Sequence, residues 1–343
     1  MSEPPESAED RLREQIEAYH AAALAYTCVT LRLPETMGAD DWTAERLAAK
    51  LGLSAPHLER TLRGLATLGL VAAHPDGTFT LTELGRALAP GSSSTLREKL
   101  LIVVEQYWQP WANLAAGIKS GVPAFEHVFG ASVADWRRDH PEHGETFDAY
   151  LARETFANAR HILAALDLAG AETVADIGGG QGGLLGAILK ANPGLRGVLF
   201  DRPQTMAAAK PYLGSLGVAE RVTFVVGDFL SEIPVEADIY VLKAVLQQRE
   251  DTDARIILRS CRKAMRPGAK LIVIERLMPE RATDDPAAIM LDLHMMAISG
   301  GKTRTRAEME ALLAEAGLAI TKTSRTDDGL ADDGLALIEA TLP

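Results

Sequence analysis

The chain has 343 residues, 47% of them apolar and 24% charged, with a formal net charge of −12. That length suits two domains with a real core, and the acidic balance argues against bulk binding to nucleic acid or an anionic membrane. Cys28 and Cys261 are too few and too far apart for a disulfide framework or a metal cluster, so both read as buried thiols in a reducing, cytoplasmic compartment.

In chain order, residues 1–10 are acidic and lack the apolar segment of a secretory leader, and no run reaches the ~18 apolar residues needed to span a bilayer. Residues 10–33 read as one helix with Ile16, Tyr19, Ala23 and Val29 on its apolar side. Two short helical patterns follow at 43–52 and 55–69, the second with Ser54 as its N-cap and Pro56 in its first turn. Residues 71–81 read as a hairpin turning at Asp76-Gly77. Helix, helix and hairpin together make a winged-helix pattern. DNA binding is disfavoured there: residues 43–90 carry five Lys or Arg against four Asp or Glu, a poor surface for phosphates. A structural or dimerising role fits better than a transcription factor.

Residues 95–168 read as helical, with a break at 120–123 and a helix from about His143 to Leu166. His140 and His143 flank Pro141 in what reads as an exposed turn. From Thr173 strands and helices alternate, the pattern of a parallel α/β sheet. Its last strands, 319–325 and 335–340, form an antiparallel edge across the Asp/Gly-rich segment 327–334.

The most informative stretch is Val174-Ala-Asp-Ile-Gly-Gly-Gly-Gln-Gly-Gly183. A short apolar strand carrying Asp176 breaks into glycines, which let a backbone approach a ligand closely. Gly178, Gly180 and Gly183 also match dinucleotide-binding spacing. A second strand ends at Asp201, 23 residues after Gly178. A third runs into Asp228-Phe229, and a fourth reaches Lys243. Polar groups at successive strand ends suit a nucleoside with a charged amino-acid tail better than a dinucleotide.

With these blocks together the chain resembles the plant-type O-methyltransferases that use S-adenosylmethionine (SAM), and within them the actinobacterial branch that tailors aromatic polyketides such as anthracyclines. The resemblance covers roughly residues 10–342. It rests on 121–130, the glycine turn, Val226-Gly-Asp-Phe229, Cys261-Arg-Lys-Ala-Met-Arg-Pro-Gly268, Ile274-Glu275, and Leu291-Asp-Leu-His-Met295 followed by Gly300-Gly-Lys-Thr-Arg-Thr305. It implies a Rossmann-like class I SAM domain at 165–343, a winged-helix dimerisation domain at 1–95, and a helical region at 96–164 shaping the acceptor pocket. It implies a homodimer acting on a small aromatic molecule. The cofactor set would be Asp176, Gly178, Gly180, Asp201 with Arg202, Asp228, Phe229 and Lys243. Gly178 and Gly180 would hold the methionine part, Asp201 the ribose hydroxyls, Asp228 and Phe229 the adenine. Met295, Trp108 and Asp292 would face the acceptor, and Tyr107, Trp111, Phe147 and Phe156 are further candidate walls.

The chain departs from this family where a His-Asp-Trp run supplies the general base, because it reads Gln247-Gln-Arg249. A neutral amide can orient a hydroxyl but cannot take its proton. Thr303 replaces a second, usually acidic, position. Glu275, the group that steadies the histidine, has none to steady. His294 is the candidate replacement base, although Asp292, two residues away on a helix, points elsewhere. Two functions stay open: methyl transfer driven by proximity, or a SAM-binding enzyme that hydroxylates, decarboxylates or cyclises a similar substrate without moving the methyl.

Overall fold

The computed structural model describes residues 7–326 and 334–343. The segment expected at 327–334 therefore lies, apart from Gly334, outside the described residues, as do residues 1–6. The chain divides into two compact units between Trp108 and Gln109, inside the helical stretch 96–164. Among the described residues no helix is long and apolar enough to cross a membrane.

The first unit opens with α1 (Ala8–Glu17) and α2 (Tyr19–Thr30). The single helix expected over 10–33 divides at Ala18, where the Ala21 N–H bonds the Ala18 carbonyl in a tightened i→i+3 turn. Then come α3 (Leu33–Met37), α4 (Ala44–Leu51), α5 (Ala55–Thr67), the hairpin strands β1 (Val71–Ala73) and β2 (Phe79–Leu81), and α6 (Glu83–Arg86). Val71 pairs antiparallel with Leu81, and Asp76 accepts the Thr78 N–H at 3.0 Å to close the turn. Ser54 does stand at the N-cap of α5, but its hydroxyl turns to the His57 ring at 2.8 Å and makes no backbone cap. α7 (Leu96–Ile102) runs through a π-helical turn at Val103–Tyr107 into α8 (Trp108–Ala112). Cys28, Leu47, Leu62, Leu65 and Phe79 form the core, and burial pushes the Cys28 thiol up to about 12. Leu12, Ile16 and Tyr19 stay more than half exposed. A nearly all-apolar cleft of about 300 Å³ opens between Ala25, Leu70, Leu84, Leu88, Leu96 and Leu100.

The second unit begins with α9 (Leu114–Ser120), ended by Gly121 in the left-handed conformation. α10 (Ala124–Phe129), α11 (Val133–Asp139) and the long α12 (Pro141–Ala165) follow. His140 and His143 are not in an exposed turn: both rings are half-buried and stack on Trp136, at 4.4 and 4.9 Å between centroids. Trp136 also meets Phe125 and Phe129, and this apolar cluster draws the imidazoles inward.

Strand and helix then alternate: β3 (Thr173–Ile177), α13 (Gly183–Ala191), β4 (Arg196–Asp201), α14 (Pro203–Ser215), β5 (Val222–Val226), β6 (Ile239–Lys243), α15 (Asp251–Ala264), β7 (Lys270–Arg276), α16 (Pro286–Ile298), α17 (Arg306–Glu315), β8 (Ala319–Arg325) and β9 (Leu335–Thr341). Among the described residues the sheet order is β5-β4-β3-β6-β7-β9-β8. β5 through β7 pair in parallel, and β9 runs antiparallel between β7 and β8. Alternate residues feed opposite faces: Ala175, Ile177, Phe200 and Leu242 enter one core cluster, while Val174, Leu199, Val241 and Ile274 enter the other. The chain winds outward from β3 through β4 and β5, then returns to start β6 on β3's other side. That reversal opens a crevice at the carboxyl ends of β3 and β6, where such sheets bind ligands.

Candidate cofactor and acceptor site

β3 delivers Asp176 and the glycine turn to this crevice. Gly178 has φ +69°, and a β-carbon there would lie 3.0 Å from Val245 Cγ2 and 3.3 Å from Phe229 Cε1, so turn chemistry and close packing both require glycine. Gly180 N–H donates to Asp201 Oδ2 at 2.8 Å, and Arg202 N–H donates to Oδ1 at 2.7 Å. Asp201 thus arrives at the end of β4 already oriented, with a further lone pair on each oxygen.

The cleft over the turn encloses about 100 Å³ between Asp148, Leu151, Thr155, Asp176, Gly178, Gly180, Gln181, Lys243 and Gln248. Lys243 Nζ donates to Thr155 Oγ1 at 3.2 Å. Three acids here are raised by burial. Asp176 reaches about 7, opposed chiefly by the Lys243 charge; Asp148 reaches about 6, with the Asp201 charge adding to the rise; Asp201 is raised against its two N–H donors. Asp176 Oδ2 is fully buried and has no hydrogen-bond partner. A buried, unmatched carboxylate oxygen beside two more acids fits a ligand that carries positive charge. Of the residues expected for a cofactor, Asp176, Gly178, Gly180 and Lys243 line this cleft, Lys243 here rather than at an adenine edge, and the sequence reading did not include Asp148, Leu151 and Thr155. Those come from α12, and only the ~3.6-residue helical repeat of that element could have hinted that they share one face. Phe229 stands at the edge of the turn, its ring 5.5 Å from the Arg249 guanidinium. Asp228 Oδ1 caps the next turn by accepting the Leu230 N–H at 2.9 Å.

The missing-histidine turn leaves β6 through Ala244, which holds a left-handed φ of +54°, a strain of about 1–2 kcal/mol for a residue with a β-carbon. Ala244 N–H donates to Ile274 O at 3.0 Å, and Gln248 Nε2 donates to Ala244 O at 2.6 Å. Gln247 is buried. Its backbone N–H donates to Glu275 Oε1 at 2.9 Å. Glu275, 2% exposed and raised to about 7 by burial against the N–H groups of this turn and the Arg304 charge, therefore fixes the backbone where a histidine would otherwise be held. Arg304 is fully buried and donates to the Leu246 and Arg249 carbonyls and to Asp251 Oδ1, at 2.8–2.9 Å. A β-carbon on Gly301 would fall 2.7 Å from the Gln248 α-carbon and closer still to the Gln247 carbonyl, so two backbones meet here without a side chain between them.

On α16 two of the candidate residues already have partners within the fold. Trp111 Nε1–H donates to His294 Nδ1 at 3.2 Å. Indole N–H can only donate, so the neutral ring carries its proton on Nε2. Burial, with the Arg137 charge, pulls the imidazolium down to about 4. His294 is therefore held as a neutral ring whose Nδ1 accepts the Trp111 N–H. Asp292 Oδ1 accepts the Thr303 N–H at 2.8 Å, tying α16 to the following loop. Thr303 is buried with its hydroxyl unmatched. Met295 Sδ lies 3.9 Å from Ser299 Oγ. Trp108 closes the first unit, edge-on to Tyr19. Phe147 lines a cleft of the second unit, discussed below, whereas Phe156 packs into the sheet's core.

A glycine turn at the switch point, an acid oriented at the next strand end and a seven-stranded sheet with one antiparallel insertion define a class I SAM-dependent methyltransferase domain. The chain belongs to the O-methyltransferase family: residues 111–319 match its O-methyltransferase domain and residues 14–91 its dimerisation domain. It is 34% identical over 320 residues to the phenazine O-methyltransferase PhzM of Lysobacter antibioticus, 93% of each chain. The crystal structure of LaPhzM superimposes with a TM-score of 0.90 at 33% identity, covering 98% of this chain and 100% of that one. The neocarzinostatin-biosynthesis O-methyltransferase NcsB1, solved with S-adenosylhomocysteine (SAH) and 1,4-dihydroxy-2-naphthoic acid, aligns with a TM-score of 0.79 at 31% identity over 94% and 96% of the two chains. The enzyme is thus a methyltransferase whose methyl donor is SAM.

Proposed function

We propose that this chain methylates a hydroxyl on a planar aromatic natural product, as a homodimer in the reducing cytoplasm, and that it does so by positioning rather than proton abstraction. The carrying observation is the acidic, glycine-lined cleft at the β3/β6 crevice, with Asp201 oriented by Gly180. In that reading Asp201 and Arg202 hold the ribose end, Asp228 and Phe229 bracket the adenine, and Asp176, Gly178, Gly180 and Lys243 receive the amino-acid tail, joined by Asp148 and Thr155. SAM when bound supplies a methyl group on a sulfonium, already a strong electrophile. Met295 and Trp108 are proposed to face the acceptor. Support for the dimer comes from the matched dimerisation domain and from the exposed side chains of α1, which suit the apolar cleft on a second copy. The acidic balance argues against a nucleic-acid partner.

Each of the three candidate catalytic residues is neutral or already engaged within the fold. Gln247 can hold a hydroxyl by its amide, Glu275 is engaged by the turn, and His294 Nδ1 accepts the Trp111 N–H. General base catalysis is worth roughly 10²–10⁴-fold, while alignment of reactants supplies an effective molarity of about 10⁵–10⁸ M. Positioning is the larger contribution, so a phenol that ionises readily needs no enzyme base.

The test is mass spectrometry of the enzyme with SAM and a panel of hydroxylated quinones, naphthoates and phenazines. A product heavier by one CH₂, formed with stoichiometric SAH, is expected, and its rate should follow ionisation of the acceptor hydroxyl without a histidine inflection. Product formed while SAM persists would replace methyl transfer with the non-methylating alternative.

Cofactor affinity should also depend on pH. Asp148 and Asp176 are raised to about 6 and 7, so both are largely protonated in the free protein at pH 5.5. A cationic ligand selects their ionised forms, and its binding must release protons below those values. The dissociation constant of SAM should tighten by roughly 10–100-fold between pH 5.5 and 7.5 and level off above. Calorimetry in buffers of different ionisation enthalpy reads the proton release directly; a flat profile contradicts the assignment.

A further inference from the structure

Beside the glycine-turn cleft lies a second one of about 210 Å³, and the two share Asp148 and Gln248 in their walls. Its lining carries Arg137, Arg138, Arg202 and Arg249 against Asp148 and Glu145, together with Phe147, Thr205 and Ser299. In a chain of net charge −12, this is a local inversion of sign. Arg138 is committed to Asp135 and Asp139. Arg137 lies flat over the Phe147 ring at 3.4 Å. Arg249 stands where the family's tryptophan would be. Its guanidinium is partly desolvated, which lowers its pKa, and its ion pair with Asp253 is long at 3.9 Å. The start of α14, with Arg202 at its N-cap, lies in the same wall through Arg202, Gln204 and Thr205. A partly desolvated guanidinium with a distant counter-ion is stabilised by an incoming anion, and its fork matches a carboxylate in geometry.

We infer that this arginine cleft binds a carboxylate on the acceptor, making the enzyme selective for aromatic acids. This rests on the methyl-transfer reading above. The cofactor's own carboxylate is not the occupant in that reading, because the amino-acid tail lies across Asp148 beside Lys243. A flat molecule with its acid group among the arginines and its ring along Phe147 extends past Gln248 toward the glycine turn, where its hydroxyl is needed.

The experiment titrates SAH-saturated enzyme with matched pairs: hydroxybenzoate and phenol, 2-hydroxy-1-naphthoate and 2-naphthol, phenazine-1-carboxylate and phenazine. At least one acid should bind on the order of tenfold tighter than its neutral partner, with the preference weakening as salt is raised. Arg137→Gln and Arg249→Gln should each reduce that preference to about threefold or less, and Arg249→Lys should restore part of it. Arg137→Gln should leave SAH affinity unchanged. If no acid of the panel outbinds its neutral partner, the inference is overturned. It is also overturned if the glutamine variants keep the preference while losing SAH, because the cleft then serves the cofactor. Failure of the native enzyme to bind SAH would instead strike the methyl-transfer reading.

Discussion

Replacing Asp201 with alanine is expected to weaken SAH binding by two to three orders of magnitude, measured by calorimetry. Each hydroxyl bonded to a carboxylate contributes about 1.5–3 kcal/mol, and the proposed ribose offers two. Alanine also frees the Gly180 and Arg202 N–H groups that Asp201 accepts at 2.8 and 2.7 Å, so the glycine turn loses its orientation along with the ligand contact. Asp201→Asn separates the two effects. It keeps a carbonyl oxygen for one N–H but removes the charge, and should fall between wild type and alanine. A loss smaller than fivefold in the alanine variant would mean that the ribose lies elsewhere.

The second large effect concerns Arg304, which never touches a ligand in this scheme. Arg304→Met should lower the unfolding free energy by about 2–5 kcal/mol, because one buried and one part-buried carbonyl lose their donors at roughly 1–3 kcal/mol each. In a unit of this size that corresponds to a fall in Tm of the order of 10 °C. The half-exposed partner Asp251 returns to water at little cost, so the carbonyls of Leu246 and Arg249 carry most of the effect. Turnover should fall further than stability alone explains, since the same carbonyls hold the turn bearing Gln247. A Tm within 2 °C of wild type, by calorimetry at matched pH, would contradict this account.

Local signals made the sheet and the glycine-lined cleft legible. Apolar runs of five to seven residues ending in glycine or acid mark β3 and β4, and Asp201 follows from strand length and spacing. What escaped was set by distance along the chain. Whether His294 Nδ1 is open or occupied depends on Trp111, 183 residues away, and no pattern within α16 reports that partner. Asp148 and Thr155 lie on a helix whose periodicity says that one face is buried but not what it faces. The His140–His143 stack depends on Trp136 and on two phenylalanines from α10. Glu275 is the remaining catalytic candidate with no histidine to steady, and the backbone amide of Gln247 that it accepts is invisible to side-chain reasoning.

The contact of Gly301 with the main chain at Gln247 and Gln248 has a consequence for how such an enzyme can diversify. Where peptide planes touch directly, no exchange of side chains can shift the loop by a fraction of an ångström. New acceptors must then be accommodated by remodelling the helical walls around a floor that stays put.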